Sequence, residues 1–123
     1  MRRVLVTGSR NYDDKSNLFD ALADQYEPGM IVVHGGTRGA DTLAGEWVKK
    51  MQTLGYQVVA EVHPADWDRH GKSAGAIRNQ EMVDAGADVC LAFPEGESRG
   101  TRHCMKAAKK AGIPVINFAE RDQ

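Results

Sequence analysis

Cysteine is scarce in these 123 residues: Cys90 and Cys104 are the only two. They lie in separate apolar segments with no partner ligands at close spacing, which argues against a disulfide framework or a structural metal site, and both read as reduced thiols. No metal is expected. An excess of one charge is lacking too, since 16 Lys and Arg stand against 17 Asp and Glu for a formal net charge of -1. No global basic field exists to hold a nucleic-acid backbone, so a nucleic-acid partner is not expected. Nor does any apolar run approach the roughly 18 residues that span a bilayer, and Met1-Arg2-Arg3 leads directly into a strand-like segment without a signal-peptide core. A cytoplasmic protein with no membrane partner is the expectation. Aromatics are few, at 7%, while hydrophobic residues reach 41%. That composition suits one folded domain over residues 1–123, long enough for a single core and too short for two.

Glycine is what the sequence has in excess: 13 of 123 residues, roughly 11% against a usual value of about 7%. Placing those glycines requires the elements. Five short apolar runs read as strands: Val4–Val6, Met30–Val33, Gln57–Val62, Asp88–Phe93 and Pro114–Phe118. Continuous apolar runs of this kind suit strands covered on both faces. Between them lie four amphipathic segments. Ser16 to Tyr26 carries Leu18, Leu22 and Tyr26 on one stripe with Ser16 as N-cap, and Ala40 to Leu54 carries Ala40, Leu43, Ala44, Trp47, Val48, Met51 and Leu54. Ser73 to Gly86 turns Ile77 and Met82 or Val83 inward, and Gly100 to Ala111 does the same with Thr101, Cys104, Met105, Ala108 and Ala111. Strands alternating with helices predict an α/β fold, a Rossmann-like three-layer doubly wound parallel sheet with helices on both faces. The expected strand order is 3-2-1-4-5.

In such a sheet ligands bind beyond the carboxyl ends of the strands, where the winding reverses. Six glycines follow strand ends: Gly8, then Gly35, Gly36 and Gly39, then Gly96 and Gly100. Gly29, Gly55, Gly86 and Gly112 precede strands and read as turn or helix-end residues. Gly45 lies inside a helix, where packing against the sheet is the expected reason, and Gly71 and Gly75 flank a polar connection, Pro64 to Lys72, read as a loop.

The strand-end clusters carry the chemistry. Thr7-Gly8-Ser9-Arg10 offers close backbone approach, a hydroxyl and a guanidinium. His34-Gly35-Gly36-Thr37-Arg38-Gly39-Ala40-Asp41 sets a Gly-Gly turn before a helix N-terminus, where free backbone N–H groups suit an anion. Ser98-Arg99-Gly100-Thr101 repeats that arrangement. One such turn is ordinary; three on one edge point to a phosphate-bearing ligand. No G-x-x-x-x-G-K-[ST] segment occurs, which excludes a P-loop NTPase, and the first turn is not G-x-G-x-x-G. His34 ends the second strand where a dinucleotide site has a carboxylate for the ribose, so an ordinary dehydrogenase is disfavoured.

Taken together, these segments, with Gly75, Arg78-Asn79 and Met82, with Phe93-Pro94, and with Gly112-Ile113-Pro114-Val115, resemble the SLOG superfamily over nearly the whole chain. Within it the sequence is most similar to the YspA-type branch, related to cpYpsA and found in bacteria and their phages. The resemblance implies a Rossmann-like domain that senses or processes a nucleotide or nucleotide derivative, commonly as a homo-oligomer, without a further cofactor. It also implies two alternatives. The related LOG enzymes hydrolyse the N-glycosidic bond of nucleoside 5′-monophosphates through a P-G-G-x-G-T-x-x-E motif and an Arg-Lys pair. Here Gly100-Thr101 match that Gly-Thr, Cys104 stands at the glutamate, and Arg78-Asn79 stand at Arg-Lys. The DNA-processing relative DprA binds single-stranded DNA, for which Arg10, Arg38, Arg69, Lys72, Arg78, Arg99 and Arg102 would have to share one rim diluted by acidic neighbours.

The expected phosphate-binding set is therefore Gly8, Ser9, Arg10, Gly35, Gly36, Thr37, Arg38, Asp41, Arg78, Asn79, Ser98, Arg99, Gly100 and Thr101. Helix N-termini at about 0.3–1 kcal/mol and arginine contacts at roughly 1.5–3 kcal/mol do not alone offset the losses of association. A base or ribose must be held as well, for which Tyr12, Trp67 and His70 are candidates, with His103 a further one and Phe93 better suited to the core. If the protein is an enzyme, Arg78, Asp41 and Glu46 are the candidate catalytic residues.

Overall fold

In the computed structural model of the protein, which describes residues 1–119, successive residues of the first strand enter two different cores. Val4 and Val6 pack on one side of the sheet and Leu5 on the other, as the two-residue period of a strand requires. The element order is β1 (Arg3–Gly8), α1 (Lys15–Gln25), β2 (Met30–His34), α2 (Ala40–Thr53), β3 (Val58–Val62), α3 (Trp67–His70), α4 (Ala74–Ala85), β4 (Val89–Phe93), α5 (Arg99–Lys110) and β5 (Val115–Asn117). All neighbouring strands run parallel, in the order β3-β2-β1-β4-β5. The sequence-based fold class and strand order are observed.

One layer is α1 and α2, whose Leu18, Leu22, Ala44, Trp47 and Val48 meet Val4, Val6, Val32, Leu91 and Phe93. The opposite layer is α4 and α5, whose Met82, Val83, Cys104 and Ala108 meet Leu5, Val33 and Cys90. Complete burial of such a side chain contributes about 1.5–3 kcal/mol, so both helix layers are held to the sheet by its central strands.

Several local expectations are corrected. Asp14, not Ser16, caps α1, its carboxylate accepting from the Asn17 amide at 3.1 Å. The outer strands are not covered on both faces: Val58 is the one buried residue of β3, while Val59, Val62 and Ile116 are exposed. An apolar run reports strand character without reporting distance from the sheet's edge. Leu54 and Ala111 are exposed because each lies just past the last turn of its helix. The connection before α4 is not an unstructured loop, since α3, capped by Asp66, and a 3-10 turn, Gly71–Ser73, fill much of it. Gly45 is not forced by packing: a Cβ there would stand 3.7 Å from His34 Nε2, an ordinary contact. Gly29, Gly55, Gly86 and Gly112 all have positive φ, in keeping with their reading as turn residues.

Candidate functional site

Because β1 is hydrogen-bonded to both β2 and β4, the crossovers leave it in opposite directions and a gap opens beyond its carboxyl end. A cleft of about 540 Å³ occupies that gap. One wall is the end of β1 with Ser9 and Arg10. The second is α4, through Gly75, Ala76, Arg78, Asn79 and Met82, and the third is the first turn of α5 with Ser98, Arg99, Gly100, Thr101 and His103. Thr37 and Asp41 reach it from the start of α2, and Trp67 stands at its rim.

Two glycines bring these walls together. A side chain on Gly8 would overlap the Ala40 Cβ, and one on Gly39 would overlap the backbone of Ser9 and Arg10. Gly39 also has φ 75° and ψ -127°, a backbone conformation open to glycine and strained for residues with a Cβ. The start of α2 is thereby seated directly against the end of β1.

The Gly-Gly turn does not present its N–H groups to a ligand, contrary to expectation. The amides of Gly35 and Thr37 donate to Asp41 Oδ2 at 3.1 and 3.3 Å, and the Thr37 hydroxyl donates to the same oxygen at 2.9 Å. The Gly36 amide donates to His34 Nδ1 at 3.0 Å. The turn is thus wrapped around the protein's own carboxylate. Asp41 Oδ1 and His34 Nε2 are buried and have no hydrogen-bond partner among the described residues. Burial pushes the Asp41 carboxyl above the usual carboxylate range, offset in part by Thr37 and by the nearby His34 and Arg78. Burial likewise lowers His34, opposed by Asp41. An imidazole that accepts at Nδ1 carries its proton on Nε2, so His34 is the neutral Nε2–H tautomer.

Arg78 and Asn79, expected to close over a ligand, are largely engaged within the protein. Arg78 is 9% exposed. Its Nη1 donates to the Gly35 carbonyl at 2.9 Å and its Nε to Asn79 Oδ1 at 3.0 Å. Asn79 Nδ2 in turn donates to the Gly100 carbonyl at 3.2 Å. This chain ties the β2–α2 turn to the first turn of α5. It also removes Arg78 from any exposed basic rim of the kind single-stranded DNA would need.

The first turn of α5 is different. Ser98 precedes it at φ 42°, ψ 58°, and is the one non-glycine residue with positive φ among those described. Its hydroxyl donates to Thr101 Oγ1 at 2.7 Å and caps no amide. The amide of Arg102 is the first to find a carbonyl, that of Ser98 at 3.1 Å. The amides of Arg99, Gly100 and Thr101 have no acceptor among the described residues. Arg10 and Arg99 are exposed beside them, Arg99 approaching Glu97 at 3.7 Å.

Of the residues singled out from sequence, the cleft brings together Gly8, Ser9, Arg10, Thr37, Asp41, Arg78, Asn79, Ser98, Arg99, Gly100, Thr101 and Trp67, together with His103. Gly35 lies behind Asp41, and neither Gly36 nor Arg38 lines the cleft. Tyr12 is turned into the core against Phe93, ring centroids 5.2 Å apart, with its hydroxyl accepting from Asn17. His70 does not line the cleft, and Glu46 pairs with Lys15 at 3.3 Å on the outer layer. Val6 and Ala76 line it without having been expected to, and Thr7, named with the first strand-end cluster but left out of the expected binding set, lines it too. Cys104 is fully buried, its thiol pushed up to about 11 chiefly by burial. The same cause raises Cys90.

Residues 2–70 match the YAcAr family, described as the YspA, cpYpsA-related SLOG family. The chain is 59% identical over 124 residues to the Gene 61 protein of Mycobacterium phage D29, covering 98% of this chain and 99% of that protein. Among solved structures, the C-terminal domain (residues 78–226) of PF1911 hydrogenase from Pyrococcus furiosus is similar with a TM-score of 0.50 and 14% identity, over 94% of this chain and 89% of that one. At that identity the likeness concerns the fold alone.

Proposed function

The chain belongs to the YspA, cpYpsA-related SLOG family, and from that premise we propose that its cleft binds a nucleotide or nucleotide-derived ligand. The observation that carries the reading is the first turn of α5, where Arg99, Gly100 and Thr101, whose amides have no acceptor among the described residues, line the cleft together with Arg10. Free amides and the helix dipole favour an anion there, and a phosphate has the oxygens to take several of these donors at once. Ser9, Ser98 and Thr101 add hydroxyls around the same end.

The ligand's planar base would lie on Trp67. That ring is 49% exposed at the rim of the cleft with its edge near Gly75, and an exposed indole suits stacking. Binding is favoured over hydrolysis. Cys104, where the related hydrolases carry a glutamate, is buried and offers no carboxylate to stabilise positive charge on a sugar.

Trp67 supplies the test. Trp47 is 3% exposed, so a fluorescence change on adding nucleoside monophosphates reports chiefly on Trp67. Saturable quenching is expected, with affinity roughly tenfold or more weaker in the Arg10→Ala, Arg99→Ala double variant. Unchanged affinity in that variant would refute the phosphate placement. Release of free base from any of the monophosphates would favour the hydrolase instead.

A further inference from the structure

The two oxygens of Asp41 are used unequally. Oδ2 accepts three hydrogen bonds from the turn that precedes it, whereas Oδ1 is buried and accepts none. A buried acceptor without a partner is uncommon and costly. The described residues supply no donor for it. Arg78 makes no ion pair with Asp41 and instead donates to Gly35 and Asn79. The His34 Nε2–H group is directed at Gly45 on α2, 3.7 Å from where a Cβ would stand, one turn beyond Asp41. The Gly35–Thr37 turn covers the Oδ2 side, and Asp41 lines the cleft.

We infer that Asp41 makes the cleft selective for a ribose-bearing ligand, with Oδ1 accepting a hydrogen bond from a free 2′- or 3′-hydroxyl. The charge distribution supports a neutral donor at this point. Arg10, Arg99 and the α5 amides serve the anionic end, and a carboxylate beside that end would repel a second anion. A divalent cation finds no other support, since the described residues hold no group of three metal-ligating side chains. A sugar hydroxyl is neutral, is a donor, and in a nucleotide stands a short covalent distance from the phosphate. Burial raises the carboxyl's cost of ionisation, and a donor to Oδ1 offsets part of that cost.

This inference rests on the nucleotide reading, and one experiment separates the two. A ribonucleoside 5′-monophosphate, its 2′-deoxy and 3′-deoxy forms and ribose 5-phosphate are titrated calorimetrically into the wild-type protein and into Asp41→Asn. In the variant the carboxamide oxygen can keep the Gly35 and Thr37 amides, which leaves an NH₂ group, a donor, at the Oδ1 position. At least one deoxy form should bind wild type roughly tenfold or more weakly than the ribonucleotide. That gap should close in Asp41→Asn, and ribose 5-phosphate should weaken alongside the ribonucleotide. Equal binding of all three nucleotides by wild type would overturn the assignment while leaving the nucleotide reading intact, and that comparison needs no variant to fold. A gap that persists in folded Asp41→Asn would overturn it as well. Binding of none of these compounds would remove the nucleotide reading and this inference with it.

Discussion

Arg78, on α4, donates through Nη1 to the carbonyl of Gly35 at 2.9 Å across 43 residues of chain. The guanidinium occupies the space a Gly35 side chain would need, and its Nε continues the contact to Asn79 and so to α5. Three crossover connections meet at this one cation. Arg78→Ala should therefore destabilise the protein by about 3 kcal/mol, because it leaves the Gly35 carbonyl unpartnered and opens a cavity. A lowered urea midpoint at unchanged slope would show this. A shift below about 0.5 kcal/mol would mean the network is dispensable.

Gly8 and Gly45 should respond in opposite ways to the same substitution. Gly8→Ala drives a methyl group into Ala40 and the Phe93 carbonyl, and overpacking of this kind costs roughly 1–3 kcal/mol. Gly45→Ala meets only His34 at ordinary contact distance, and gains about 0.5–1 kcal/mol of helix propensity. Thermal melts should move down by several degrees for the first and up by a few for the second. A destabilised Gly45→Ala would show that α2 packs more tightly there than its spacing allows.

Acid stability should depend on Glu61. Arg3 binds both its carboxylate oxygens, at 3.0 and 2.9 Å, and His63 Nε2 lies 2.7 Å away. The hydrogen bond from Arg3, then that from His63, lowers its pKa to about 2 from 4.5. A carboxylate lowered on folding contributes stability that is fully present above its unfolded value. That contribution is lost as pH falls from about 4.5 toward 2. The pair is partly exposed, so the effect should be modest and reduced by salt. Glu61→Gln should lower stability at pH 7 and converge on wild type near pH 2. Equal differences at both pH values would remove the ion pair as the cause.

Both thiols should be silent in the native protein. Cys90 and Cys104 are fully buried, and burial raises both, Cys104 to about 11. A thiol reagent at pH 8 should label neither until denaturant is added, and then both, since the thiolate is the reactive form. Rapid labelling of Cys104 in folded protein would place it in reach of the cleft.

Sequence periodicity carried the fold because its information is local. Val4, Leu5 and Val6 are apolar on both sides, the helical stripes of Leu18, Leu22, Ala44 and Trp47 are apolar on one, and alternation of the two leaves few ways to build a sheet. The same locality hid the edges. Val59 reads like Val32, and only strand order puts one outside and the other within. In the site, the convergence of Ser9, Arg10 and Ser98–Thr101 was legible because all stand at strand ends, whose positions the topology dictates.

By itself the sequence determined a parallel sheet, from the alternation of apolar strands and amphipathic helices, while the order β3-β2-β1-β4-β5 was expected only from the likeness to Rossmann-like sheets and was fixed by the tertiary structure. Only the tertiary structure decided which of two similar glycine-rich turns is open. The turn after β2 meets its own aspartate, four to six residues on, which takes the Gly35 and Thr37 amides, while the Gly36 amide goes to His34. The turn before α5 meets no such acceptor among the described residues. A carboxylate competes for free amides only if the folded chain carries it to them, and its position in the sequence does not say that it will.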